Sequence, residues 1–159
     1  MTRRLLLILT CFSLVSGCGF HLRGNVDIPD SLTTMAVSGK DPDLVDELED
    51  ALESAGVNVT NTEDKSAAVL LLTQTDYERE VRTTDASGLA TSYDLRYRIG
   101  YDVLSGSGDE LQINQRIVQK RVFEYDPLLQ LQSEEEEEFL REDMRKEIVL
   151  QILRRLSRI

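Results

Sequence analysis

Hydrophobic and polar residues alternate most cleanly between positions 93 and 103. Tyr93, Leu95, Tyr97, Ile99, Tyr101 and Val103 fall on one side; Asp94, Arg96, Arg98, Gly100 and Asp102 fall on the other. A period of two predicts a half-buried strand. The 68–82 segment opens with an apolar run at 69–72 and continues in threonine, tyrosine and charges, which predicts a second long strand. A third, over 111–125, follows a hairpin turn at 105–109 that carries two glycines. Its apolar set changes parity, from Leu111, Ile113 and Ile117 to Val118 and Val122, then to Phe123 and Tyr125. A β-bulge near Ile117-Val118 accounts for that change, and so does a strand that is apolar on both sides.

Two segments instead follow the helical period. Leu44, Val45, Leu48, Ala51, Leu52 and Ala55 form a stripe at spacings of three and four, with acidic residues between them. Asp41 suits the N-cap, Pro42 the first helical position and Gly56 the C-terminal stop. The second stripe runs through Leu140, Met144, Ile148, Ile152 and Leu156. Ser133 and Glu136 have the spacing of a capping box and predict its start. The glutamate run 134–138 then lies on the positive end of the helix dipole, and Arg154, Arg155 and Arg158 on the negative end. Such a run reads as a solvated helix start rather than a calcium site, because no loop of oxygen ligands surrounds it. A short strand over 32–37 precedes the first helix, and Val57 and Val59 suggest a strand stub after it. The expected fold is α+β: a two-layer sandwich, with two helices on one face of a mostly antiparallel sheet of about four strands in the order β-α-β-β-β-α.

The chain start has a different pattern. Arg3 and Arg4 precede an apolar stretch over 5–15, too short for a bilayer span of about 20 residues. Leu14-Val15-Ser16-Gly17-Cys18 has the form of a lipobox, in which cleavage precedes a lipid-bearing cysteine. The reading is therefore a signal peptide over 1–17, a lipidated tether over 18–30 and a single domain over 31–159. Cys18 is expected to carry S-diacylglycerol and an N-acyl chain, and two or more chains hold a protein stably on a membrane. Gly19, in place of aspartate, favours the outer membrane, on its periplasmic side.

Cleavage would also remove Cys11, leaving one cysteine, blocked by lipid, and no disulfide. A mature chain of this length buries roughly 68% of its unfolded surface and needs no covalent staple. Loss of Arg3 and Arg4 leaves 16 basic against 29 acidic residues, a net charge of −13. That balance disfavours nucleic acid as a partner. His21 is the sole histidine and lies on the tether, with no second histidine or free thiol to complete a metal site. No catalytic set assembles and no cofactor motif is present, so the expectation is a protein that is not an enzyme.

Surface chemistry remains. Eight basic residues lie between Lys65 and Tyr125, while most acid lies in the helices. The open sheet face is therefore expected to be more basic than the chain as a whole. The 83–92 and 126–133 loops should lie at one end of the sheet, since two antiparallel strands, one down and one up, separate them. Ordinary solvated strand positions are the plainer reading of Arg96 and Arg98.

The stretch Cys18-Gly19-Phe20-His21-Leu22-Arg23-Gly24 resembles the opening of the lipopolysaccharide-assembly lipoprotein family, LptE, which begins Cys-Gly, an aromatic residue, then His-Leu-Arg. The similarity continues in element order through the last helix and its Arg154-Arg155-Leu156 end. It implies a non-enzymatic plug inside a large outer-membrane barrel, LptD, forming the translocon that places lipopolysaccharide in the outer leaflet. It also implies direct lipopolysaccharide binding, for which Arg96, Arg98, Arg82, Lys120 and Arg121 are the candidates. The competing class is a lipid carrier, which needs a large apolar cavity between sheet and helices. A wall-linking structural lipoprotein fits less well, because neither a very long helix nor a dedicated wall-binding domain is present.

Overall fold

The computed structural model describes residues 27–159. The signal peptide, Cys18 and most of the expected tether lie outside the described residues. Strand β1 (Thr34–Ser38) follows a 3-10 turn at Asp30–Leu32. The strand begins two residues later than the pattern suggests, because Leu32 belongs to that turn and is completely buried beneath it. Helix α1 (Pro42–Ser54) starts as expected: Asp41 has extended backbone angles, and its Oδ1 accepts from the Leu44 N–H at 3.3 Å. Gly56 ends it with φ +87°, the left-handed geometry that glycine adopts without Cβ strain. The Val57 N–H reaches the Leu52 carbonyl at 3.0 Å and the Gly56 N–H that of Glu53 at 2.9 Å, so the last turn closes on itself.

The sheet has five strands, with spatial order β2-β1-β3-β4-β5. The stub after α1 is a true strand, β2 (Asn58–Thr60), parallel to β1. Strand β3 (Ala68–Thr84) runs parallel to β1 on its other side. Strands β4 (Ala90–Leu104) and β5 (Glu110–Glu124) complete an antiparallel meander. The apolar central residues of β1, Met35, Ala36 and Val37, are buried, as suits a strand enclosed by parallel neighbours.

The bulge in β5 is not at Ile117-Val118. Pairing is continuous there, with Ile99 opposite Ile117 and Arg98 opposite Val118. The change of register falls where Tyr101 pairs with Gln115 but Val103 with Gln112, so Ile113 and Asn114 together oppose Asp102. Asn114 takes φ 55°, and its N–H donates to the Asp102 carboxylate at 2.6 Å. The parity change reflects a two-sided strand instead: Ile117 and Phe123 face the core, while Val118 and Val122 face water.

Helix α2 (Gln130–Leu156) also begins earlier than its capping box predicts. Asp126 and Pro127 already form a cap and first position. The Asp126 side chain accepts from the Leu128 N–H at 2.9 Å, and the resulting 3-10 turn runs straight into the helix. Ser133 therefore sits buried inside the first turn and faces back to Asp126. Both helices cover the same sheet face. Tyr97, Tyr101, Leu95, Ile99 and Phe123 pack with Leu44, Leu48 and Leu52 of α1 and with Met144, Ile148, Ile152 and Leu156 of α2. Each of these side chains is at most 1% exposed, so this interface is a packed core. No helix among the described residues is long and apolar enough to cross a membrane.

Candidate functional site: the open sheet face and its loop end

Strand alternation places the opposite side chains of β3, β4 and β5 on the uncovered face. Register sets them in rows: Asp76 beside Arg98 and Val118, Glu78 beside Arg96 and Lys120, Glu80 beside Asp94 and Val122. Arg98 donates from both terminal nitrogens to one oxygen of Glu78, at 2.8 and 2.7 Å. Arg96 reaches Glu80 at 3.4 Å and Glu78 at 3.8 Å. Arg82 lies 3.8 Å from Asp94. Lys120 has no carboxylate within 4 Å among the described residues.

The face is thus a lattice of ion pairs, less acidic than the chain but close to neutral. Its acids Asp76, Glu78, Glu80, Asp94 and Asp102 are balanced by Arg82, Arg96, Arg98, Arg116 and Lys120. The predicted count of strand cations was sound; the facing acids of β3 offset them. Exposed pairs of this kind hold each other by about 0–1 kcal/mol, so a multivalent anion can compete for the arginines.

Arg82, Arg96, Lys120 and Arg121 line one depression of 320 Å³, together with Asp94 and Val122. Arg98 lies one row further along. Arg121 belongs to the other side of β5. Its guanidinium turns to α2, 2.9 Å from Asp143 and 2.8 Å from Glu147, while one nitrogen donates to the Lys120 carbonyl at 3.1 Å. The hydrogen bond it donates to Asp143, with the charges of Glu147 and Asp143 beside it, raises its pKa further, so it is a fixed cation.

The two loops do meet at one end. The Tyr125 N–H donates to the Thr91 carbonyl at 2.9 Å, joining the 126–133 segment to the β3–β4 hairpin. Beneath them Tyr93 stacks on Phe123 at 6.1 Å, and the Arg79 guanidinium lies 4.4 Å from the Tyr93 ring centre. This end also exposes leucines that sequence reading did not single out: Leu89 in the hairpin, and Leu128, Leu129 and Leu131 at the start of α2. Leucines beside Pro and Gly turn signals gave no periodic signal to mark them.

The glutamate run is not uniformly solvated. Glu137 accepts from the Tyr77 hydroxyl at 3.0 Å and from Arg79 at 2.6 Å, pinning α2 to β3. Burial, then this acceptor, pushes the Tyr77 phenol well above its usual range. A second tie was also missed. Arg145 of α2 is buried, its Nε donating to Glu47 of α1 at 3.0 Å, with Asp43 and Glu138 each 3.7 Å away. A lone arginine in a helix stripe carries no mark of burial until its partner helix is in place.

These features have relatives. The family model for lipopolysaccharide-assembly, LptE, matches residues 31–156. The chain is 28% identical to the LPS-assembly lipoprotein LptE of Photorhabdus laumondii, covering 98% of this chain and 87% of that one. It is 26% identical to the protein of that name from Pectobacterium atrosepticum, over 92% and 80% of the two chains. Among solved structures, lipoprotein B of Nitrosomonas europaea superposes with a TM-score of 0.72 at 28% identity, over 87% of this chain and 90% of that one. Rare lipoprotein B of Shewanella oneidensis shares the fold at a TM-score of 0.64 and 22% identity, over 78% and 93%. With four-fifths of its length inside the family model and the same two-layer fold in its relatives, this chain belongs to the lipopolysaccharide-assembly family LptE.

Proposed function

We propose that this chain is a lipid-anchored, non-catalytic subunit of the lipopolysaccharide transport machinery. It sits in the outer membrane on the periplasmic side, held by lipid on Cys18. There it plugs the lumen of an LptD-like β-barrel and helps that barrel assemble. The observation that carries the reading is the match of residues 31–156 to the LptE family. The surface supports it. Barrel lumens are polar, and the open face presents a near-neutral lattice of charges to such a wall. A membrane anchor raises the effective concentration of the plug at the barrel mouth.

Lipopolysaccharide binding is the second part of the proposal. Its phosphates would be drawn to the depression where Arg82, Arg96 and Lys120 converge, with Arg98 beside it and Arg121 at its edge. The lipid-carrier reading finds no support in the core, because the tyrosine face of β4 is filled by both helices.

Copurification tests the barrel. The tagged full chain, extracted in mild detergent, should bring down a stoichiometric outer-membrane barrel; recovery of the chain alone sinks the proposal. For the ligand, labelled lipopolysaccharide should bind the wild type and bind the Arg82→Ala/Lys120→Ala variant several-fold more weakly. Equal binding by both removes this depression from the reading.

A further inference from the structure

The charges of the open face are sorted by strand. Strand β3 contributes only acids to the central rows, Asp76, Glu78 and Glu80. Strand β4 contributes Arg96 and Arg98, and both lean onto those acids. Strand β5 contributes Arg116 and Lys120, alternating with Val118 and Val122. Among the described residues, neither Arg116 nor Lys120 has a carboxylate within 4 Å. The arginines of β4 are already engaged by Glu78 and Glu80 of β3. A cross-strand set of opposite charges is therefore formed between β3 and β4 and left open on the outer side of β5.

Strand β5 is also the last strand of the sheet. Its pairing to β4 is regular over ten residues, from Gln115 to Glu124, and the bulge at Ile113 and Asn114 lies beyond that stretch. Alternate backbone N–H and C=O groups there point away from β4, with no strand among the described residues to receive them. Val118 and Val122 are 49% and 46% exposed beside that free edge. This ten-residue stretch has neither a central bulge nor a proline; its edge is guarded by charge alone, and Arg116 and Lys120 repel a basic strand while favouring an acidic one.

We propose that the free edge of β5 at 115–124 is a strand-docking site for an extended partner segment that alternates acidic and apolar residues. The added strand would place carboxylates beside Arg116 and Lys120 and apolar side chains beside Val118 and Val122, with main-chain hydrogen bonds supplying affinity. Two other occupants fit the charges poorly. A second copy pairing antiparallel about Val118 would set Arg116 against Lys120, like against like. The 18–26 segment of the chain itself carries Arg23 and no carboxylate. The inference concerns a surface and does not depend on the barrel reading.

The test uses the full chain in mild detergent and two synthetic peptides. Each has threonine at odd positions; one alternates glutamate and valine at even positions, the other lysine and valine. The glutamate peptide, at ten times its Kd, should slow amide exchange at alternate residues of 115–124 by about tenfold. The lysine peptide should leave them unchanged. In Arg116→Glu/Lys120→Glu, whose altered side chains are both exposed, the preference should reverse. Equal binding of the two peptides by the wild type overturns the proposal without reference to any variant. So does unchanged exchange at β5 with bound peptide, or a concentration-dependent dimer of the chain alone that protects the same amides.

Discussion

Tyr97, in the middle of β4, donates its hydroxyl hydrogen to Asp41, the residue that caps α1. One carboxylate thus serves two elements: Oδ1 accepts from the first turn of the helix and Oδ2 from the sheet. The pairing fixes where α1 begins relative to the strand that carries Arg96 and Arg98 on its other side. Asp41→Ala removes the cap and strands a buried phenol, for a combined loss of about 2–3 kcal/mol. Asp41→Asn keeps a capping oxygen and should lose less, and Tyr97→Phe about 1 kcal/mol. Urea unfolding of the three variants ranks them.

The same two-layer ties predict an alkaline limit. Burial, followed by acceptors Asp41 and Glu137, holds the Tyr97 and Tyr77 phenols protonated well above their unfolded value of 10.0. A raised folded pKa means that the unfolded chain releases its proton first. Stability should be flat below about pH 10 and fall as pH rises beyond it. In Tyr77→Phe/Tyr97→Phe the fall should be shallower; an identical slope from pH 9 to 11.5 would show that these phenols are not its source.

Arg145 and Glu47 join the two helices across the groove between them. Arg145 is 6% exposed, so loss of Glu47 leaves a buried guanidinium with only the more distant Asp43 and Glu138. Glu47→Ala should therefore destabilise by about 2 kcal/mol, somewhat below the range for a fully buried pair because Glu47 keeps some solvent contact. A double-mutant cycle with Arg145→Ala should show a coupling of about 1–2 kcal/mol.

The arginines of the open face are paired, which changes what a charge reversal does. Arg96→Glu/Arg98→Glu sets new carboxylates opposite Glu78 and Asp76, with Glu80 diagonal to the first. Like charges directly opposite each other destabilise a sheet, here by about 1–2 kcal/mol for the pair of substitutions. Adding Glu78→Arg/Glu80→Arg should restore most of that loss. A double mutant as stable as wild type would mean that the lattice contributes nothing to the fold.

The sequence pattern carried some of these features and hid others, for physical reasons. Strand β4 is legible because one face is fully buried and the other wet, so every residue obeys the period of two. Helix α1 is legible because Asp41, Pro42 and Gly56 each act locally. The order β2-β1-β3 was not, since which parallel neighbours flank β1 depends on contacts distant in sequence. The parity of β5 misled because Val118 and Val122 are apolar yet outward, and the true bulge rests on Asn114, an asparagine tolerant of the left-handed region. The start of α2 was obscured by two competing cap signals, of which Asp126-Pro127 comes first. For the candidate site, the cations of β4 and β5 were readable from alternation, but their partners were not. Only the register shows that Glu78 and Glu80 engage Arg96 and Arg98, while Lys120 has no carboxylate within 4 Å among the described residues.

The central claim is that the folded domain sits inside a barrel rather than beside one, and photo-crosslinking in intact cells tests it most directly. A photoreactive residue is placed in turn at Lys120 on the open sheet face, at Leu150 on the outer side of α2 and at Leu89 on the loop end, all exposed. The account predicts that all three positions crosslink to the same outer-membrane barrel, because a plug is surrounded. Crosslinks from only one face, or no barrel product from any position, would contradict it.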